Sequence, residues 1–274
     1  MSEGGPEGTS AKVTAPSLDE LLVDYEASLR KIAALPELPM RRTALQEALD
    51  RPDDEVVWWI DQLLRGALWG HTAQMDALVA LASWLIALDP SEHYDRLQAL
   101  YQAAADSDRE SVLMMLRNPP PHAALAAGAA LPEVRLPIQR DVTIGERRTL
   151  ARGRDRKLLD RLLYDPNELV LTNLLNNPAL LVTDVVVVAS RRPTDAQLLR
   201  VVCENARWFK ELRVREALVH NPYAATGISL KLLPTLPIQV LRRIRYASDL
   251  HPLVHEFARL LVQLREDRTA PWRV

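Results

Sequence analysis

The chain has 274 residues, 48% of them apolar, enough to bury a core without disulfides or a metal. Its single cysteine, Cys203, excludes an internal disulfide framework and a Cys-rich metal site built within one chain, and no apolar run reaches the roughly 18 residues of a membrane span. The net charge of −2 conceals opposite halves: residues 1–139 hold 11 Lys and Arg against 21 Asp and Glu, whereas residues 140–274 hold 23 against 15.

Aromatics make up 5% of the chain, glycines number nine, and Leu, Ala, Val and Arg dominate, which favours an all-α class. Residues 1–16 are rich in Gly, Ser, Thr and Pro and lack a periodic apolar face, so a disordered tail is expected there. An acidic helical module follows over 17–118. Ser17 and Glu20 stand in capping-box spacing ahead of Leu18, Leu21, Leu22, Tyr25, Leu29 and Ile32, which share one helical face. Further helices are expected at 42–49, 54–68, 72–88, 91–105 and 109–117, each bounded by Pro, Gly or Asp. Trp58, Trp59, Trp69 and Trp84 read as packing aromatics of this module.

Prolines 119–121, an alanine-rich patch (Ala123–Ala130) and Pro132 and Pro137 mark residues 119–142 as a connection. Beyond it the chain is Arg-rich. Three stretches end alike: MLRNP (115–119), LLNNP (174–178) and LVHNP (218–222). The last two lie 44 residues apart, and that offset pairs Leu159 with Cys203, Tyr164 with Trp208, Val170 with Val214, Leu174 with Leu218 and Pro193 with Pro237. Residues 157–177 are therefore expected to match 201–221. Asn-Pro reads as a helix corner, because Asn tolerates the left-handed conformation that ends a helix and Pro suits the first turn of the next. A two-helix unit of this length fits the roughly 40–47 residues of HEAT- or armadillo-type repeats, which predicts an α-solenoid over 143–264 with a tail at 265–274. Val185–Val188 is a β-branched run, read as helix because Thr183-Asp184 can cap it.

LLYDPNELVLTNLLNNPALL and LRVREALVHNP resemble bacterial HEAT-like repeat proteins and leucine-rich repeat variant proteins. The resemblance covers residues 143–264. It implies a non-enzymatic scaffold or adaptor that binds another protein, and supplies no active site.

Nucleotide-binding glycine motifs, H-E-x-x-H and G-x-S-x-G are absent from the sequence, and no cofactor is indicated. His251 and His255 are four apart but lack a third ligand, with Pro252 making His251 a helix-cap position. Cys203, on an apolar face, reads as a buried thiol. The most functional-looking feature is the basic series Arg147, Arg148, Arg152, Arg154, Arg191, Arg192, Arg207, Lys210, Arg213 and Arg215, with Trp208 among them. Such a series suits an acidic segment of a partner protein. The alternative partner is nucleic acid, including recognition by a base-excision type of helical-repeat enzyme.

Overall fold

The computed structural model describes residues 16–89, 91–120, 136–138 and 140–266. Residues 1–15 of the tail expected at 1–16, the Ala123–Ala130 patch and residues 267–274 lie outside the described residues. Among the described residues there are sixteen α-helices, one 3-10 turn and no strand, so the chain is all-α.

Helix α1 (Leu18–Ala33) opens on the expected capping box: Ser17 Oγ accepts from the Glu20 N–H, and the Glu20 carboxylate accepts from the Ser17 N–H at 2.7 Å. Helix α2 (Leu38–Ala48) starts four residues earlier than the apolar pattern suggests, because Pro39 suits a first helical turn. Helices α3 (Asp53–Leu68) and α4 (Thr72–Ala87) are joined through Gly70, whose φ of +90° is a conformation that L side chains rarely adopt. Tyr25 meets Trp58 and Trp59 edge-on at 5.9 and 5.6 Å, which places the tryptophan pair against α1. Helices α5 (Tyr94–Asp106) and α6 (Glu110–Leu116) pack on α3.

Helix α4 is the pivot of the fold. It reads MDALVALASWLIA over most of its length, and Ala77–Ser83 are buried without interruption, so it has no solvent face of the ordinary kind. It packs against α1, α2 and α3 and also against α11 (Ala196–Glu204), α14 (Thr226–Leu232) and the 3-10 turn Leu233–Thr235. The last helix, α16 (Pro252–Glu266), packs on α3, α6, α14 and α15 (Ile238–Ile244), and extends two residues into the expected tail. The two halves of opposite charge thus share one contiguous apolar core.

Between these lie α7 (Ile144–Leu150), α8 (Arg156–Leu162), α9 (Glu168–Leu175), α10 (Val182–Ser190), α12 (Ala206–Phe209) and α13 (Leu212–Val219). The 44-residue offset carries α9 onto α13 residue for residue, and α10 onto α14 and its 3-10 extension. Val185–Val188 is helical, within α10. The offset fails for residues 157–162, which lie in α8, whereas 201–206 run from α11 across Asn205 into α12. The counterpart of α8 is α11, since Asp155 and Asp195, 40 residues apart, cap them in the same way. The four residues of α12, opened by Asn205 Oδ1 accepting from the Arg207 N–H, account for the difference. The matching order runs over three helices, α7–α8–α9 beside α10–α11–α13, where a two-helix unit was expected.

The asparagines of the repeated phrase act by a different physical route from the expected one. Asp108 is the positive-φ non-glycine among the described residues, so Asn177 and Asn221 are not left-handed. Both are buried. Asn177 Nδ2 donates to the carbonyls of Ala151 and Gly153 at 2.8 and 2.7 Å, and Asn221 Nδ2 donates to those of Ala189 and Arg191 at 2.8 and 3.0 Å. Each Oδ1 accepts from the N–H two residues on. Pro178 and Pro222 lie in the turns before α10 and α14, short of their first helical turns. The asparagine is a clamp across 24 to 32 residues, holding the third helix of a unit to the carbonyl end of the first.

Candidate functional site

Most of the basic series is engaged inside the fold. Arg147 pairs with the buried Asp165 at 2.7 Å, and Arg148 is half-buried. Arg191 is buried and donates to the Leu163 carbonyl and to Thr194 Oγ1, and burial lowers its pKa. Arg215 is 5% exposed, donates to the carbonyls of Phe209 and Lys210, and is pushed down to about 10 by burial. Trp208 is buried too, its Nε1 donating to the Leu175 carbonyl at 2.7 Å, although its 44-residue counterpart Tyr164 is exposed. Trp208 and Arg215 hold α12 and α13 in place; neither is a surface group, which agrees with Trp208 as an inter-helix packing residue and removes both from the candidate partner-binding series.

Three of the series are exposed but tied to the protein. Arg152 holds Asn173 Oδ1, Arg192 holds Asp249 and the His220 carbonyl, and Arg207 donates to the carbonyls of Asn177 and Leu180 while stacking over Trp208 at 4.1 Å. Arg154, Lys210 and Arg213 remain, exposed and with no ion-pair or hydrogen-bond partner for their side chains among the described residues. Lys210 and Arg213 flank Leu212, itself 39% exposed, at the corner between α12 and α13. This corner borders a cleft of about 350 Å³, walled by Leu38, Met75 and the carboxylates Glu37 and Asp76 from the first half and by Ala206 and Lys210 from the second. The corner before α9 likewise presents Tyr164 and Leu169 to solvent.

The other residues singled out by sequence have structural roles. His251 Nδ1 accepts from the Leu253 N–H at the start of α16, and both ring nitrogens of His255 face carbonyls, those of Ile244 and Leu250. Cys203 is buried, and desolvation pushes its pKa up to about 12.

Lys231 carried no signal in the residue pattern. It sits on α14 inside the core, 8% exposed, where the residue 44 earlier is the half-exposed Val187. Its ammonium donates to the carbonyls of Gly227 at 3.2 Å and Arg117 at 3.4 Å, with no carboxylate partner among the described residues. Desolvation alone pushes its pKa from 10.5 down to about 8. The unfolded chain keeps this proton up to about pH 10.5, whereas the folded chain releases it near pH 8. Between those values the unfolded state binds more protons, and stability rises with pH. Below pH 8 both states are charged and the penalty is at its full size. Urea unfolding of wild type and Lys231→Met across pH 7–9 checks this: the stability advantage of the variant is expected to shrink above pH 8 by up to about 1.4 kcal/mol per pH unit. Subtracting the variant removes the opposing contribution of Cys203, whose unfolded thiol ionises near pH 9.

No protein-family model, curated protein or solved structure matches this chain. Among the described residues no group of three or more His, Cys, Asp or Glu side chains is placed to hold a metal, and no helix is long and apolar enough to cross a membrane.

Proposed function

We propose that the chain is a non-enzymatic helical-repeat scaffold, HEAT-like in its second half, that binds an acidic, partly apolar segment of another protein. The observation that carries this reading is the α12–α13 corner, where two exposed cations whose side chains have no ion-pair partner among the described residues flank an exposed leucine beside a cleft of mixed apolar and charged lining. Such a corner offers what interface centres use: apolar area at low entropic cost, with charge to set partner choice. Nucleic acid is the less favoured partner. Phosphate tracking needs many free cations along one path, and Arg147, Arg156, Arg191 and Arg215 are held by Asp165, by Asp160 and Asp184, and by backbone carbonyls.

Selection from a displayed peptide library tests the proposal. The binders recovered are expected to be enriched in Asp and Glu around an apolar residue, and Lys210→Glu/Arg213→Glu is expected to weaken them about ten-fold or more. Both side chains are exposed, so helical content and melting temperature should not change. Binders without acidic enrichment, or binders indifferent to the reversal, would remove this surface from the scaffold's function.

A further inference from the structure

Where α4, α6, α11 and α14 meet, a cavity of about 220 Å³ lies between the two halves of the chain. Its walls are apolar, formed by Leu85, Ile86, Leu97, Leu116 and Ile228. Lys231 lines it from α14, and Arg200 and Asn118 stand at its polar edge. We propose that this cavity binds a small monocarboxylate with an aliphatic chain, its carboxylate on the Lys231 ammonium and its chain against the leucine walls.

Charge and geometry set the class of ligand. A buried ammonium is costly unless something negative compensates it. Lys231 has two long contacts to carbonyls, one of them in its own helix, and its third donor position has no acceptor among the described residues. Arg200 is balanced by Glu204 at 2.9 Å, so the lining residues leave a single uncompensated positive charge. A monoanion neutralises it. A phosphate dianion would overshoot this single uncompensated charge. The aliphatic walls exclude a purely polar anion, since filling them with water forgoes the burial of apolar surface.

The backbone beside Lys231 is shaped for close packing. A Cβ placed on Gly227 would come within 2.0 Å of Asn118 Oδ1, so the bare glycine is what lets the Asn118 side chain lie against α14 beside the cavity. This gives a second handle on the site. Gly227→Ala must move Asn118, altering the polar edge and the surroundings of the Gly227 and Arg117 carbonyls that the ammonium contacts, while keeping the ammonium itself.

Titration calorimetry and thermal shift with hexanoate, hexanol, hexylamine and inorganic phosphate test the proposal. Hexanoate alone is expected to bind and raise the melting temperature, and Lys231→Met is expected to lose about ten-fold or more of its affinity. Gly227→Ala is expected to weaken hexanoate to a smaller extent. Equal binding of hexanol would show an apolar void with no anion selectivity, and equal binding of phosphate would show a site without use for an aliphatic chain. Either result overturns the proposal, as does hexanoate binding within about two-fold of wild type in Lys231→Met. Should Lys231→Met not fold, methyl resonances of Ile228 and Leu116 in the wild-type protein decide: saturable shifts with hexanoate and none with hexanol support the site, and no shifts with hexanoate overturn it.

Discussion

Asn221→Ala is expected to destabilise the protein by about 3 kcal/mol, measured by urea unfolding at neutral pH. The side chain is 2% exposed and makes three hydrogen bonds, donating to the carbonyls of Ala189 and Arg191 and accepting from the Tyr223 N–H. Alanine strands all three backbone groups in a site closed to water, where each unsatisfied group costs about 1–3 kcal/mol and the sum is softened by relaxation. Asn221→Asp sharpens the test. The aspartate has nearly the same shape, but when ionised it directs an acceptor at two carbonyl oxygens and gives up the donor. It is expected to cost at least as much as alanine. An aspartate variant as stable as wild type would show that the asparagine only terminates a helix, a task either residue performs. Asn177, with the same three contacts, should behave likewise.

Asp61→Ala is expected to cost about 3 kcal/mol or more, read as a fall in the urea midpoint without loss of the slope. Asp61 is fully buried on α3 and accepts from Arg65 at 2.8 Å, from Arg109 ahead of α6, and from Ser111 Oγ at 3.4 Å. Asp61 accepts from both arginines, so its loss removes the carboxylate that lies between the two guanidinium groups beside the α3–α6 contact. Both arginines keep partial access to water, which limits the penalty below that of a sealed charge. Asp61→Asn retains an acceptor for one arginine and is expected to recover about half the loss. If Asp61→Ala unfolds at the wild-type midpoint, the triad contributes no net stability.

The sequence disclosed what depends on near neighbours. Ser17 with Glu20, the buried face Tyr25, Leu29 and Ile32 of the first helix and the helical state of Val185–Val188 all rest on contacts within a turn or two, and all are present. The recurrence of Asn-Pro was also legible, because matched apolar positions accompanied it. Its mechanism was not, since the amide spans 24 to 32 residues to reach carbonyls that have no sequence signature. The same reason explains the basic series. Counting arginines reveals a surplus of charge but not which guanidinium will meet a buried carboxylate, and Asp165 and Asp184 take two of them. Lys231 was illegible for the opposite reason: a lysine in a leucine-rich stretch reads as the solvent edge of a helix, and only the packing of α6 and α4 over α14 buries it.

The uninterrupted burial of Ala77–Ser83 in α4 bears on how this chain must be made. Its sequence belongs to the first third of the molecule, yet α11, α14 and the 3-10 turn that cover part of it are specified more than a hundred residues later. A chain emerging from the ribosome at about 5–20 residues per second would leave that apolar surface uncovered for several seconds or more. During that interval the first half is a folding intermediate with a sticky flank, and the order of synthesis makes it the segment most in need of a chaperone.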